Sequence, residues 1–378
     1  MDKDVRLLGV AQGWPFQEKK GSAFYHLFRK LGESKQMVEV ADFNMPMTIR
    51  RLFLLSNFST NKLRWKVKDQ VDVHRYRYAS NLAQRAIDEA DSNYNSVLQI
   101  GSDFKVGSKK ALGMKGLPLF SFHDNNFISY AKSLPNGVLD NRRKELAYHF
   151  ERDVYRDLSS IFTMSKTLRE SFILDFGIPE DKVVYAGFGS PFNSQDVSGK
   201  DYGSRNILFI ASHSFEAKGG RDLVKAFRKA RKSVPSLTLT LVGRDWGINE
   251  PGVKCIGFLD KRNAKDLLLY QRCFEEASIF VLPSHKEAFG EVFIEAMSYG
   301  LPCIGTRTGV MPELIEGNAA GYVVNPGDID HLTSLICDLV GAERDLKRMG
   351  ENGIFAVDSE YQWSTVTSRI ISQVKKFI

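Results

Sequence analysis

Glu287 and Glu295, two carboxylates with seven residues between them, are the side chains of this chain best spaced to act on a single ligand. Ionised carboxylates only accept hydrogen bonds, so a pair of them suits hydroxyl groups. Phe289 and Gly290 lie between them where a helix is about to begin, and the backbone N–H groups of a helix N-terminus donate to a hydroxyl or a phosphate oxygen. Two acceptors beside a few donors fit a polyhydroxylated ligand.

The flanking residues say how the pair is held. Ile279, Phe280, Val281 and Leu282 form a short apolar run ended by Pro283, as expected of a strand buried on both faces of a parallel sheet. From Glu291 the pattern turns helical through Val292, Ile294, Ala296 and Met297; Gly300 and Pro302 supply stop signals, and Cys303, Ile304 and Gly305 begin another strand. Strand, loop, helix and strand make a βαβ unit, whose ligands gather beyond the carboxyl ends of the strands. Glu287 then precedes the first turn of the helix and Glu295 sits within its second.

The stretch EAFGEVFIEAMSYGLP, followed by GVMPELI and GYVVNPGD, closely resembles the E-x7-E region of family 4 of the retaining GT-B glycosyltransferases. The resemblance is strong over 205–330, moderate over 155–190 and mostly architectural before 150. It implies an α/β protein of two Rossmann-like domains facing a central cleft, the acceptor in the first and a nucleotide-sugar donor in the second. The implied reaction moves a sugar from a nucleotide diphosphate to an acceptor hydroxyl, with retention at the anomeric carbon and no required metal or cofactor. Glu287 would accept from donor-sugar hydroxyls, helped by the backbone of Phe289, Gly290, Glu291 and Val292, and Glu295 would take the ribose. Lys218, in a loop with Ser212 and His213, would neutralise the diphosphate. Gly257, Phe258 and Leu259 resemble the segment whose main chain holds the nucleobase, and His123 stands where members place a histidine near the donor sugar and its phosphate.

Three departures accompany these matches. The arginine that members pair with the lysine is missing, with Ser212 or His213 in its region. Single glycines, Gly13 and Gly21, stand where members carry a Gly-Gly pair in a phosphate and acceptor loop; on residues alone this is an ordinary strand-to-helix turn. Ala186-Gly187-Phe188-Gly189 replaces the common N-G-V-D. A sugar-nucleotide epimerase of the same fold, or a non-catalytic nucleotide-binding partner subunit, remains an alternative.

Read directly, the first half shows strand candidates at 5–10, 97–100 and 117–122, the last delivering His123, Asp124, Asn125 and Asn126 to its carboxyl end. A second α/β domain begins near Ile207, after the polar, glycine-bearing stretch 194–204, which reads as a linker. The expected division is 1–195, 196–360 and a last helix, 361–378, returning to the first domain. Asp328 and Asp330 spell D-x-D, yet Pro326-Gly327-Asp328 reads as a turn and helix start rather than a metal site.

At 378 residues the chain is too long for one ordinary core. Its 43% apolar and 26% charged residues are those of a soluble globular protein. No run approaches a membrane span, and the first residues carry acids instead of a signal-peptide core. The four cysteines show no C-x-x-C pairing and read as reduced thiols in cytoplasm. The net charge of +7 is lodged in the first half, where 1–200 has 30 Lys and Arg against 23 Asp and Glu, while 201–378 is balanced at 22 and 22. That asymmetry reads either as a surface for an anionic or membrane-associated acceptor, with the protein cytoplasmic or peripheral at the inner face of a membrane, or as charge that only keeps the protein soluble. Residues 50–78 interleave eight bases with Leu52, Phe53, Leu54, Leu55, Phe58 and Trp65. They read either as a membrane or acceptor surface or as core helices with solvated edges. Nucleic acid is not expected, because no recognition module accompanies the charge.

Overall fold

The computed structural model describes residues 4–13, 23–91, 93–107, 117–212, 214–287 and 289–378. Its contacts divide the chain into two units, 1–189 with 363–378, and 190–362. The division falls a few residues from the expected boundaries, and the last helix belongs to the first unit.

The first unit runs β1 (Leu7–Gln12), α1 (Ala23–Glu33), β2 (Met37–Phe43), α2 (Met47–Ser56), α3 (Lys62–Gln70), α4 (Val73–Asp88), β3 (Ser96–Ile100), β4 (Leu119–His123), α5 (Phe127–Lys132), α6 (Asn141–Asp157), β5 (Ser160–Thr163), α7 (Lys166–Leu174) and β6 (Val183–Tyr185). Among its described residues six strands form one sheet in the order β2-β1-β3-β4-β5-β6, every pairing parallel. The apolar runs that foretold the strands are buried on both faces, as a sheet covered by helices on either side requires. Gly9 lets α1 press close to β1, since a Cβ there would meet the Phe28 ring at 2.8 Å. Polar side chains start the helices: Asp72 accepts from His74 N–H and Arg75 N–H, Asn126 from Ser129 N–H and Ser165 from Leu168 N–H.

The second unit runs β7 (Asn206–Ala211), α8 (Gly220–Ser233), β8 (Thr238–Gly243), β9 (Val253–Gly257), α9 (Ala264–Glu276), β10 (Ile279–Val281), α10 (Glu291–Ser298), β11 (Cys303–Thr306), α11 (Met311–Ile315), β12 (Gly321–Val324), α12 (Ile329–Leu339) and α13 (Glu343–Ser359). Its sheet has the order β12-β11-β10-β7-β8-β9, again parallel throughout. The last helix, α14 (Trp363–Val374), packs into the first unit through Trp363, Val366, Ile370 and Val374, all buried.

The stretch 194–204 is not a free linker but part of the second unit. Gln195 N–H donates to Ser298 C=O at 2.8 Å, Lys200 Nζ to Phe274 C=O at 2.9 Å and Tyr202 OH to Gly300 C=O at 3.0 Å. Its polar side chains anchor it to carbonyls, so composition alone made it look unattached. Among the described residues no helix is long and apolar enough to cross a membrane. All four cysteines are free thiols.

Candidate active site

In each sheet the first strand lies inside, with the chain winding outward to one side before returning to the other. The crevice at such a reversal is where open parallel sheets bind ligands. In the second unit the reversal falls between β7 and β10, which are hydrogen-bonded neighbours. The loops leaving these two strands carry Lys218 and Glu287.

The two loops are fastened to each other. His285 N–H donates to Ala217 C=O at 2.9 Å, and His285 Nε2 lies 2.7 Å from Asp222 Oδ2. Gly219, the N-cap of α8, has φ +71°, and a Cβ on it would stand 1.9 Å from the Pro283 carbonyl oxygen. Only glycine allows both the left-handed turn and that approach. The result is a direct ion pair between Lys218 Nζ and Glu287 Oε2, with Ser284 Oγ at 3.5 Å from the same oxygen. Gly290, at φ +77°, begins α10 three residues later. Two helix N-termini, a lysine and a carboxylate thus meet at one sheet edge, an arrangement that can hold an anion beside a group of hydroxyls.

Glu295 sits in the second turn of α10 and is 3% exposed. Both its oxygens are occupied: Lys261 Nζ is 2.6 Å from Oε1, and Tyr270 OH donates to Oε2. The Lys261 ammonium also lies 4.3 Å from the centre of the Tyr270 ring, and burial with the neighbouring Glu295 charge pushes the Tyr270 hydroxyl well above its ordinary pKa. Because Lys261 follows Gly257, Phe258 and Leu259, this contact ties the segment after β9 to α10. Phe258 is 60% exposed and Gly257 has φ +87° with open space around it. Neither Lys261 nor Tyr270 was singled out from sequence; they lie 34 and 25 residues from Glu295 in no recognisable spacing.

Phe289 is buried, Glu291 exposed and Val292 half-buried in the first turn of α10. Ser212 is exposed at the end of β7. His213 and Gly21 lie outside the described residues. Gly13 ends β1 with φ +38° and gives its N–H to Phe43 C=O at 2.7 Å, so that amide is committed to the fold and does not serve a phosphate. Asp328 caps α12 by accepting from His331 N–H, and Asp330 pairs with Lys229.

In the first unit the reversal lies between β1 and β3, and a cavity of about 620 Å³ opens there. Arg75, Asp103, Asp124, Asn126, Tyr130 and Glu151 supply most of its polar wall. Glu151 is 6% exposed and accepts from Ser102 Oγ at 2.7 Å, Phe127 N–H at 2.8 Å and Tyr155 OH at 2.7 Å. Burial nevertheless outweighs these donors and raises its pKa to about 7. His123 is placed differently from expectation. It shares a face of β4 with Ser121, 2.7 Å from Nε2, and is fully buried against Tyr155 and Phe172. Burial lowers its pKa to about 3, so in this fold the ring is neutral near pH 7. Asp124, Asn125 and Asn126, just beyond it, face the cavity instead.

Residues 192–354 match the model of the family described as glycosyl transferases group 1. Its second unit is a group 1 glycosyl transferase domain. The chain is 25% identical over 235 residues to the MMP alpha-(1->4)-mannosyltransferase of Mycolicibacterium hassiacum, covering 60% of this chain and 56% of that protein. It spans about half the length of the curated relatives it matches. Among solved structures, sucrose-phosphate synthase from Thermosynechococcus elongatus superposes with a TM-score of 0.65 at 16% identity, covering 98% of each chain. HepE from Anabaena, solved in complex with UDP and glucose, gives 0.59 at 17% identity over 98% of this chain and 100% of that one. The fold is GT-B. Within the group 1 domain lie Lys218, Glu287, Glu295 and Lys261.

Proposed function

We propose that this group 1 protein transfers a sugar from a nucleotide diphosphate sugar to an acceptor hydroxyl, with retention at the anomeric carbon and without a metal. The observation that carries the reading is the Lys218–Glu287 pair at the β7/β10 reversal, beside the N-termini of α8 and α10. An anion bound there takes Lys218 from Glu287, and the freed carboxylate accepts from donor-sugar hydroxyls.

In the reaction the anomeric C–O bond to the diphosphate breaks and a bond from the acceptor oxygen to the same carbon forms. Lys218 and the helix N-termini stabilise the charge that develops on the departing phosphate oxygen, and that oxygen receives the acceptor's proton. Glu295 orients the ribose with the acceptor sites that Lys261 and Tyr270 leave open on its two oxygens, while the main chain of 257–259 meets the nucleobase. The polar cavity of the first unit receives the acceptor. Four free thiols agree with a reducing, cytoplasmic setting.

A thermal-shift panel of UDP, GDP and ADP, each with magnesium or with EDTA, tests the donor site. A ligand that binds only the native state raises Tm with the logarithm of its concentration above Kd. Stabilisation by one base, equal in magnesium and EDTA, supports the reading and names the nucleotide. No stabilisation by any of the three overturns it, and stabilisation only with magnesium overturns metal independence.

A further inference from the structure

The strongest feature outside the site is a helix whose apolar residues face the wrong way. No residue of α2 is buried, and its most exposed large side chains are Met47 at 67%, Leu52 at 60% and Leu55 at 66%. At 100° per residue these three fall on one side, with Arg51 among them, while the half-buried Ile49, Phe53 and Leu54 take the other. Phe58, 60% exposed, and Leu63, 43% exposed, extend the surface toward α3. Trp65 welds the two helices together: its indole N–H donates to Leu54 C=O at 2.7 Å, and its ring meets Phe58 edge-on at 5.4 Å.

Charge selects what covers this surface. Residues 43–68 contain six bases, Arg50, Arg51, Lys62, Arg64, Lys66 and Lys68, and no acid. Asp69 neutralises Arg50 through a paired contact at 2.8 Å, and Arg64 reaches the carbonyls of Gly137 and Val138. Arg51, Lys62 and Lys66 are exposed beside the apolar residues. Large apolar side chains interleaved in one segment with bases and no acid are suited to an interface that is greasy within and negative at its rim.

We propose that α2 and the start of α3 dock this protein on the surface of an anionic lipid bilayer, Met47, Leu52, Leu55 and Phe58 entering the headgroup boundary while Arg51, Lys62 and Lys66 meet lipid phosphates. This goes beyond the sugar-transfer reading and does not depend on it. Each base near such a surface contributes about fivefold in partitioning, and the contribution is screened by salt.

Cosedimentation with vesicles of phosphatidylcholine, with and without phosphatidylglycerol, tests the proposal. The protein is expected to bind the anionic vesicles, to ignore the neutral ones and to be released by high salt. Leu52→Ser with Leu55→Ser should abolish binding, and Arg51→Glu with Lys66→Glu should lower it at least 25-fold by the same per-base factor. All four positions are exposed, so melting temperature and nucleotide binding should stay as in the parent, separating this outcome from failure of the donor site. Absent binding to anionic vesicles, or binding retained by either double variant, overturns the proposal. So does a concentration-dependent dimer that the two serines dissolve, which would make the patch a contact between copies of the chain.

Discussion

Lys218 and Glu287, 69 residues apart in the chain, form one ion pair across two adjoining loops, the glutamate side chain 9% and the lysine 29% exposed. A charge this enclosed is costly to leave without a partner; in the function proposed above, an incoming diphosphate replaces the carboxylate on Lys218 and sugar hydroxyls replace the ammonium on Glu287. Lys218→Ala should weaken nucleoside diphosphate binding roughly 10- to 100-fold, the worth of a charge-assisted hydrogen bond. Glu287→Gln should leave that affinity within about threefold yet lower kcat by about 100-fold or more, since the proposed function has it accept from the sugar and not from the nucleotide. Calorimetry and initial rates on both variants decide the matter; equal, small effects on binding and turnover would remove the pair from the site.

Gly219→Ala should damage the same site without touching a charge. The position has φ +71° and no room for a Cβ beside the Pro283 carbonyl, so the loop must shift and carry Lys218 away from Glu287. A left-handed non-glycine costs about 1 kcal/mol before any clash. We expect a lower Tm together with loss of nucleoside diphosphate binding, whereas Gly247→Ala, at φ +64° in open space, should lower Tm alone. Intact nucleotide binding by Gly219→Ala would mean that the loop register is not what positions the lysine.

The parallel strands and the order of elements were legible because strands buried on both faces leave continuous apolar runs. Glu287 and Glu295 were legible because a strand end and a helix start fix both within one short segment. Lys261 and Tyr270 were not, since their meeting with Glu295 depends on how the chain returns after β9, which no local pattern records. His123 shows a subtler limit. Sequence placed it at a strand's carboxyl end, yet period-2 alternation sends its ring into the core with Ser121 while the residues after it face the cavity. The outward face of α2 was visible only as a mixture of basic and apolar residues, because which side of a helix is covered is decided by its neighbours.

Glu295→Ala should act on nucleotide binding and stability together. It strands the Tyr270 hydroxyl in the core and releases Lys261, at a cost of about 1–3 kcal/mol for an unsatisfied buried group. Glu295→Gln keeps one acceptor oxygen and should recover most of the Tm but not the nucleotide affinity, because the proposed function gives the ribose the carboxylate's spare acceptor sites. Denaturant melts and nucleotide titrations on the two variants check this. Unchanged affinity in Glu295→Gln would assign the residue to the fold alone.

Glu151 and His123 pull the acid stability of the first unit in opposite directions. Burial holds the Glu151 carboxyl near 7 against an ordinary value near 4.5, so between those two pH values the folded chain keeps a proton that the unfolded chain has lost. Its stabilising contribution is therefore complete below about 4.5 and lost as pH rises through about 7, amounting to about 3 kcal/mol at 1.36 kcal/mol per pH unit. His123, held near 3 by burial against an ordinary 6.5, has the reverse sign: the unfolded chain takes up a proton first, and stability falls as pH drops below about 6.5. Glu151→Gln, whose one oxygen still accepts from Phe127 N–H and Tyr155 OH while its amide NH2 donates to Ser102 Oγ, should remove the first effect and leave the second exposed. The variant should then be more stable than the parent at pH 8 and should lose stability more steeply between pH 6.5 and 5. Urea melts across that range read the difference directly, and parallel curves for the two proteins would mean that Glu151 titrates as an ordinary carboxyl.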